Sequence, residues 1–253
     1  MHFAARALLF IPLLVVATGA FAADFTRAEV EAALASAPAG QRASFAGRSL
    51  AGLDLHDLDF TGVNLSGADL SDTDLRGAKL VGAKLVGARL PRARLNLAWI
   101  ISADFSRADL SEAVLETLIV SAGLETTPAE AAKFVGANLS GAKVTARFSL
   151  DDMRGANLSR LRASADMRNQ SMGLIRTDFS QANLAGANFE HASLGHVSFE
   201  FAKLQGANFS GADLSDADLS GADLTGADLT GADTAGANFN GAVLTGVRGL
   251  PRP

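Results

Sequence analysis

Cysteine and tyrosine are absent from all 253 residues, and tryptophan occurs once, at Trp99. The missing cysteines exclude disulfides and thiolate chemistry. Charge is also sparse: Lys, Arg, Asp and Glu make up 19 % of the chain and leave a net charge of -5, which by itself selects no partner. A core with a single Trp and no Tyr must be built from smaller parts. The 48 % hydrophobic content and 25 glycines identify them as Leu, Phe and Ala, with Gly at the bends.

Those parts recur on a strict interval. From Phe45 to Leu115 every fifth residue is Leu, Phe or Ile, 15 in succession, and from Leu174 to Leu244 the same interval holds with one lapse at Thr234. Helices repeat at 3.6 residues and strands at 2, so a period of five belongs to neither. Fixed self-similarity of this kind signals stacked repeats. Counting from the apolar centre of each unit, the residue two before is Ala in 10 of the first 15 and 12 of the second. Each unit therefore sends one large and one small residue inward and leaves three facing water. Gly recurs two after the centre, as at Gly67, Gly77, Gly211 and Gly221, where the chain must bend and a Cβ is costly.

The units SGADL, TGADL and QGANF carry a resemblance to the pentapeptide-repeat proteins, whose pattern is Ala, Asp or Asn, Leu or Phe, then two variable residues. The resemblance covers most of residues 41 to 247. It implies an all-β solenoid, a right-handed quadrilateral β-helix with one pentad per side and about four pentads per coil. Residues 20 apart in an unbroken block are then expected to lie above one another, with coils one strand spacing, about 4.8 Å, apart.

Before the repeats come two different segments. Residues 1–22 read as a cleavable export signal: Arg6 supplies a positive start, Ala7 to Val16 an apolar run, and Ala20-Phe21-Ala22 a small-x-small cleavage site. The run is short for a membrane span, so no stable span is expected after cleavage. The mature protein is expected to begin at Ala23 and to be periplasmic or secreted. Residues 23–40 predict a short capping helix, with Thr26 and Glu29 forming a capping box and Val30, Ala33 and Leu34 an apolar stripe that covers the first coil.

Breaks in phase divide the rest of the chain. The spacing predicts a first repeat block over 41–120, an insertion with a short helix over 121–133, a short block over 134–158, an irregular excursion over 159–173, a second main block over 174–247 and a tail over 248–253. The helix expectation rests on Thr127-Pro128-Ala129-Glu130.

Function must come from what the coils display. Lys79, Lys84, Arg89 and Arg94 each precede a centre and should ring one coil, joined by Arg76 and Arg92. Such a ring is either ordinary solvated surface or a site for an anionic partner. Asp213, Asp218, Asp223, Asp228 and Asp233 precede successive centres near the other end and form an acidic band, although Asp also suits the backbone near a corner. Trp99 should point outward beneath Ile119, an apolar patch that requires either a cover, which the 121–133 insertion can supply, or a partner.

Catalytic signals are weak. His191 and His196 occupy neighbouring corners and Asp216 should stack on His196, but adjacent corners diverge, and no catalytic, cofactor or metal residues are assigned. The reading is a non-enzymatic exported scaffold or binding protein that recognises a protein or an anionic partner, with no nucleic acid expected. Family members of the quinolone-resistance type resemble duplex DNA and bind gyrase. That alternative requires a long acidic face and a cytoplasmic address, and this chain carries a basic ring and an export signal. A further alternative is an enzyme with a site in one of the excursions. The last coil, followed by little more than TGVRGLPRP, is expected to pair two copies as a homodimer.

Overall fold

The computed structural model describes residues 23–36, 41–123, 126–165 and 176–250. The expected export signal and the last three residues lie outside them. The described residues contain one helix, α1 (Arg27–Ala35), and two three-residue strands, β1 (Val114–Glu116) and β2 (Lys143–Thr145), which pair in parallel. The rest is a ladder of isolated parallel bridges, one per pentad, which outside two interruptions join a residue to the one 20 further on, as in Asp59 to Lys79 to Trp99. Four bridges fall in every twenty residues, so the chain returns over itself after four pentads.

The hydrogen bonds explain why five residues make a repeat. The N–H of each centre donates upward (Leu50 to Asp69 O, 2.7 Å), and so does the N–H two residues later (Gly52 to Ser71 O, 2.8 Å). The residue before the centre donates downward (Asp69 to Arg48 O, 2.9 Å), and the small residue closes a turn onto the previous centre (Ala68 to Leu65 O, 3.0 Å). Backbone donors are thereby satisfied with hardly any conventional strand. The position two after the centre adopts positive φ on nearly every side, Ala146 after Val144 being an exception: Gly67 has φ 65°, and Leu97 and Phe201 have 62° and 55°. That conformation favours Gly and strains a bulky side chain.

Leu, Phe and Ala fill the interior. Leu65, Leu85, Ala83 and Phe105 have no exposed surface. Aromatic rings stack between coils where the column is Phe, with Phe189 and Phe209 at 4.8 Å and nearly parallel. At the start of the stack α1 covers the first coil. Thr26 and Glu29 form a capping box, and Val30 is fully buried. Phe25 meets Phe45 edge-on at 5.4 Å, while Arg27 ties the helix to the Asp54 carbonyl at 2.9 Å.

Two excursions interrupt the stack without stopping it. Bridge spacing changes from 20 to 29 at Asp104–Lys133, to 19 at Lys133–Asp152, to 31 at Arg147–Asp178, and back to 20 at Asp178–Ser198. The first excursion, where the sequence predicts a short helix, instead makes a turn over residues 128–130 among the described residues. Glu130 there accepts from the Thr127 N–H and hydroxyl, as a helix start would, but the chain must rejoin the ladder at Lys133 and has no length for further turns.

The ladder also continues beyond residue 158, where the sequence pattern ends the short block. Arg162 bridges Ser193, and Leu161 and Ala163 are both buried. Leu161 takes the slot usually held by Ala and Ala163 the slot usually held by Leu. The side carries the same two residues in reversed order, which hides it from a search for large centres. Leu174, the expected first centre of the second block, lies outside the described residues; Phe179 is the first described one.

Candidate interaction surface

The residues that precede centres form four outward columns. Lys79, Lys84, Arg89 and Arg94 occupy all four within one coil and are exposed. Each is flanked by its column: Lys79 by Asp59 and Trp99, Lys84 by Asn64 and Asp104, Arg89 by Asp69 and Asp109, Arg94 by Asp74 and Val114. The cations of this coil therefore face acids one coil away. Arg94 approaches Asp74 at 3.6 Å, Arg76 pairs with Asp74 at 2.6 Å and Arg92 with Asp72 at 2.6 Å. The Arg76 hydrogen bond holds Asp74 below the usual carboxylate range, and the Arg92 hydrogen bond does the same for Asp72.

Directly above lies the apolar patch. Trp99 and Ile119 are bridge partners in one column and both are half-buried, with Ile101 8 % exposed beside them. The first excursion packs against the adjacent corner: Ser102 donates its N–H to Glu130 O and its hydroxyl to Ala129 O, both at 2.7 Å. Leu97, at a corner, is 53 % exposed and continues the apolar surface.

Asp213, Asp218, Asp223, Asp228 and Asp233 run along the later coils. Each accepts the N–H two residues on, as in Ser215 to Asp213 at 3.0 Å and Thr230 to Asp228 at 3.0 Å. These are Asx turns that satisfy a corner donor. The hydroxyls of Thr225 and Thr230 add bonds that lower Asp223 and Asp228. Asp228 also pairs with Arg248 at 2.8 Å, whereas Asp213 and Asp233 are bridge partners of like charge. The acidic band thus does structural duty at its corners and still faces water.

The histidines stay apart. His196 is 3.8 Å from Asp216 and His191 is 3.8 Å from Glu190. Among the described residues no group of three or more His, Asp or Glu could hold a metal ion.

Sequence reasoning missed three features. Asparagines 138, 157, 188 and 208 share one column and pass hydrogen bonds down it to Asp109: Asn138 at 2.9 Å, Asn157 to Asn138 at 3.0 Å, Asn208 to Asn188 at 3.0 Å. The variable spacing across the excursions hid it. Phe201 stands 65 % exposed at a corner where Gly is usual. Asp151 sits inside, in a slot that most often holds Ala; its position two before Met153 was the one signal the sequence offered.

Comparison with known proteins follows the same pattern. The model of the family "Pentapeptide repeats" matches residues 41–77, 78–116, 174–211, 192–231 and 222–248, and leaves 117–173 unmatched. No curated protein matches the chain. Among solved structures it is similar to HetL, a pentapeptide repeat protein involved in heterocyst differentiation regulation from the cyanobacterium Nostoc sp. strain PCC 7120, at 30 % identity over 88 % of this chain and 96 % of that one, TM-score 0.42. It is similar to Rfr23 from the cyanobacterium Cyanothece 51142 at 29 % identity over 46 % and 86 %, TM-score 0.40. It is also similar to QnrB1, a plasmid-mediated fluoroquinolone resistance protein, at 20 % identity over 81 % and 88 %, TM-score 0.39.

Proposed function

The chain belongs to the pentapeptide-repeat family, and from that premise we propose that it is a non-enzymatic, exported scaffold whose outer columns bind a protein or an anionic surface. Its finer geometry is a right-handed, four-sided β-helix, a reading supported by four parallel bridges in every twenty residues. The observation that carries the function is the division of labour within the pentad. Inward positions are given to Leu, Phe and Ala, so nearly all polar chemistry lies outside, spread along columns instead of gathered in a cleft.

The coil at residues 76–95 is the strongest docking surface, because it exposes four cations and one of them, Lys79, shares its column with Trp99 and Ile119. A partner with acidic groups beside an apolar anchor fits both. The test is a pull-down from periplasmic extract with wild type and with Lys79, Lys84, Arg89 and Arg94 neutralised together. Specific capture by the first and not the second supports the site; equal capture removes it. Export is tested separately by fractionation and N-terminal sequencing. A mature start at Ala23 is expected, and a cytoplasmic protein retaining residues 1–22 overturns the address.

Two copies are proposed to pair through the last described coil. Val243 is 45 % and Leu244 40 % exposed there, and Phe239 is only partly covered. Sedimentation should show a dimer that Leu244→Asp dissociates; a wild-type monomer at high concentration ends the idea.

A further inference from the structure

Asp151 is the residue that the scaffold reading leaves unused. It occupies the inward slot two before Met153, is 2 % exposed, and has Ala182 in the corresponding slot one coil up. One oxygen, Oδ1, accepts the Ala132 N–H at 2.8 Å, and the other, Oδ2, has no hydrogen-bond partner. Elsewhere the small residue of a pentad donates its N–H back to the preceding centre, as Ala137 does to Phe134 O at 2.9 Å. The first excursion has displaced that centre from Ala132, and the Asp151 carboxyl takes its place. It thereby pins the limb on which the excursion returns to the ladder.

No charged neighbour helps it carry a charge. On the excursion, Glu130 is bound to the Ala122 and Thr127 N–H groups, and Lys133 is exposed. In its own coil Asp152 pairs with Arg154 at 2.7 Å, and above it Asp178 accepts from the Ser149 hydroxyl at 2.9 Å. Burial therefore pushes the Asp151 carboxyl up to about 8, opposed only by the Ala132 hydrogen bond.

We propose that Asp151 is an acid-tightened latch, holding residues 126–132 against the next coil while protonated and releasing them when it loses its proton. The sign comes from linkage. The closed state binds the proton more tightly than the opened state, where the carboxyl has its ordinary value of 3.8, so the closed state is most favoured in acid. That advantage declines as pH rises from there towards about 8 and is then exhausted. Opening also breaks the two bonds from Ser102 to Ala129 and Glu130, baring the corner beside Ile101. Acidity then controls how much of the apolar surface near Trp99 is open.

Hydrogen exchange at the Ala132 amide, corrected for intrinsic exchange, tests this in the full mature chain. Protection should fall roughly tenfold per pH unit between about pH 5 and 7 and level off above about pH 8. Asp151→Asn keeps an acceptor without a titrating proton, and its protection should not change with pH. A flat profile in the wild type, or an equal slope in Asp151→Asn, overturns the latch. The Ala137 amide in the same coil is the control, and if its protection falls in parallel the opening is global and the latch is wrong. Should the variant not fold, a carboxyl 13C titration of wild-type Asp151 decides instead, since a midpoint in the ordinary carboxylate range also overturns it.

Discussion

At the level of single residues, the corner two after each centre governs tolerance. Where a residue with a side chain takes the left-handed corner, that side chain lies over the next coil, and at four such corners the residue 20 further on is Gly. Asp57 lies over Gly77, His191 over Gly211, Phe201 over Gly221 and Asp216 over Gly236. Gly221→Ala would drive a Cβ into the Phe201 ring, whereas Gly226→Ala meets nothing within 4 Å. Both incur the left-handed penalty of about 1–2 kcal/mol, but urea denaturation should show Gly221→Ala to be the worse, and Phe201→Ala in the same chain should remove the difference. Charge gives a second expectation for a single side chain. Asp74, held low by the Arg76 hydrogen bond, contributes stability that is complete above the ordinary carboxylate range and lost as pH falls through its lowered value. Acid unfolding of Asp74→Asn should therefore depend less on pH in that window. The Asx turn itself was legible in the sequence, because Asp or Asn before a centre is a local signal. Asp151 was not legible in its role, because its partner is an amide from another coil.

Among the elements, an excursion is a pentad pulled apart. Regular bridges span 20 residues and the bridge across the first excursion spans 29, nine more. Deleting Ala122 and residues 124–131, nine in all, joins Ser121, Gly123, Ala132, Lys133 and Phe134 into SGAKF, a regular unit. The shortened chain should fold, with stability within about 1 kcal/mol of the parent by thermal unfolding, provided Asp151→Ala accompanies the deletion. Ala132 would then bond to Val120 O and leave the carboxyl buried without purpose. The asparagine column spans both excursions and helps hold register where spacing varies. Asn157→Ala should cost about 1–2 kcal/mol in chemical denaturation, since Asn157 bonds both the coil below and the Ser159 N–H. Asn183→Ala should cost far less, because the Asn183 side chain accepts the Ala185 N–H at a long 3.5 Å. The capping helix could be read from Thr26 and Glu29 alone, because a capping box is local. The turn at 128–130 carries a similar start signal, and the need to rejoin the ladder overrode it.

Across the whole molecule, each coil touches only its neighbours, so stability accumulates along the stack and local defects stay local. Each cation of the ring has at least one acid as a column neighbour one coil away, so the ring at Lys79, Lys84, Arg89 and Arg94 is less isolated than its sequence suggests. Screening should weaken any partner that reads this ring; a dissociation constant independent of salt between about 0.05 and 0.5 M would mean that the apolar patch alone does the binding.

The order of residues was enough to set the repeat: an interval of five, a large and a small residue turned inward and a bend at Gly are all decided within a few bonds of one another. What meets what across coils was left to the folded molecule. The reversed pair Leu161 and Ala163, the asparagine column and the buried Asp151 each depend on contacts between residues 19 to 31 apart. The interior constrains each slot by the volume and hydrogen bonds of the coils above and below, and that constraint leaves no mark on the local period.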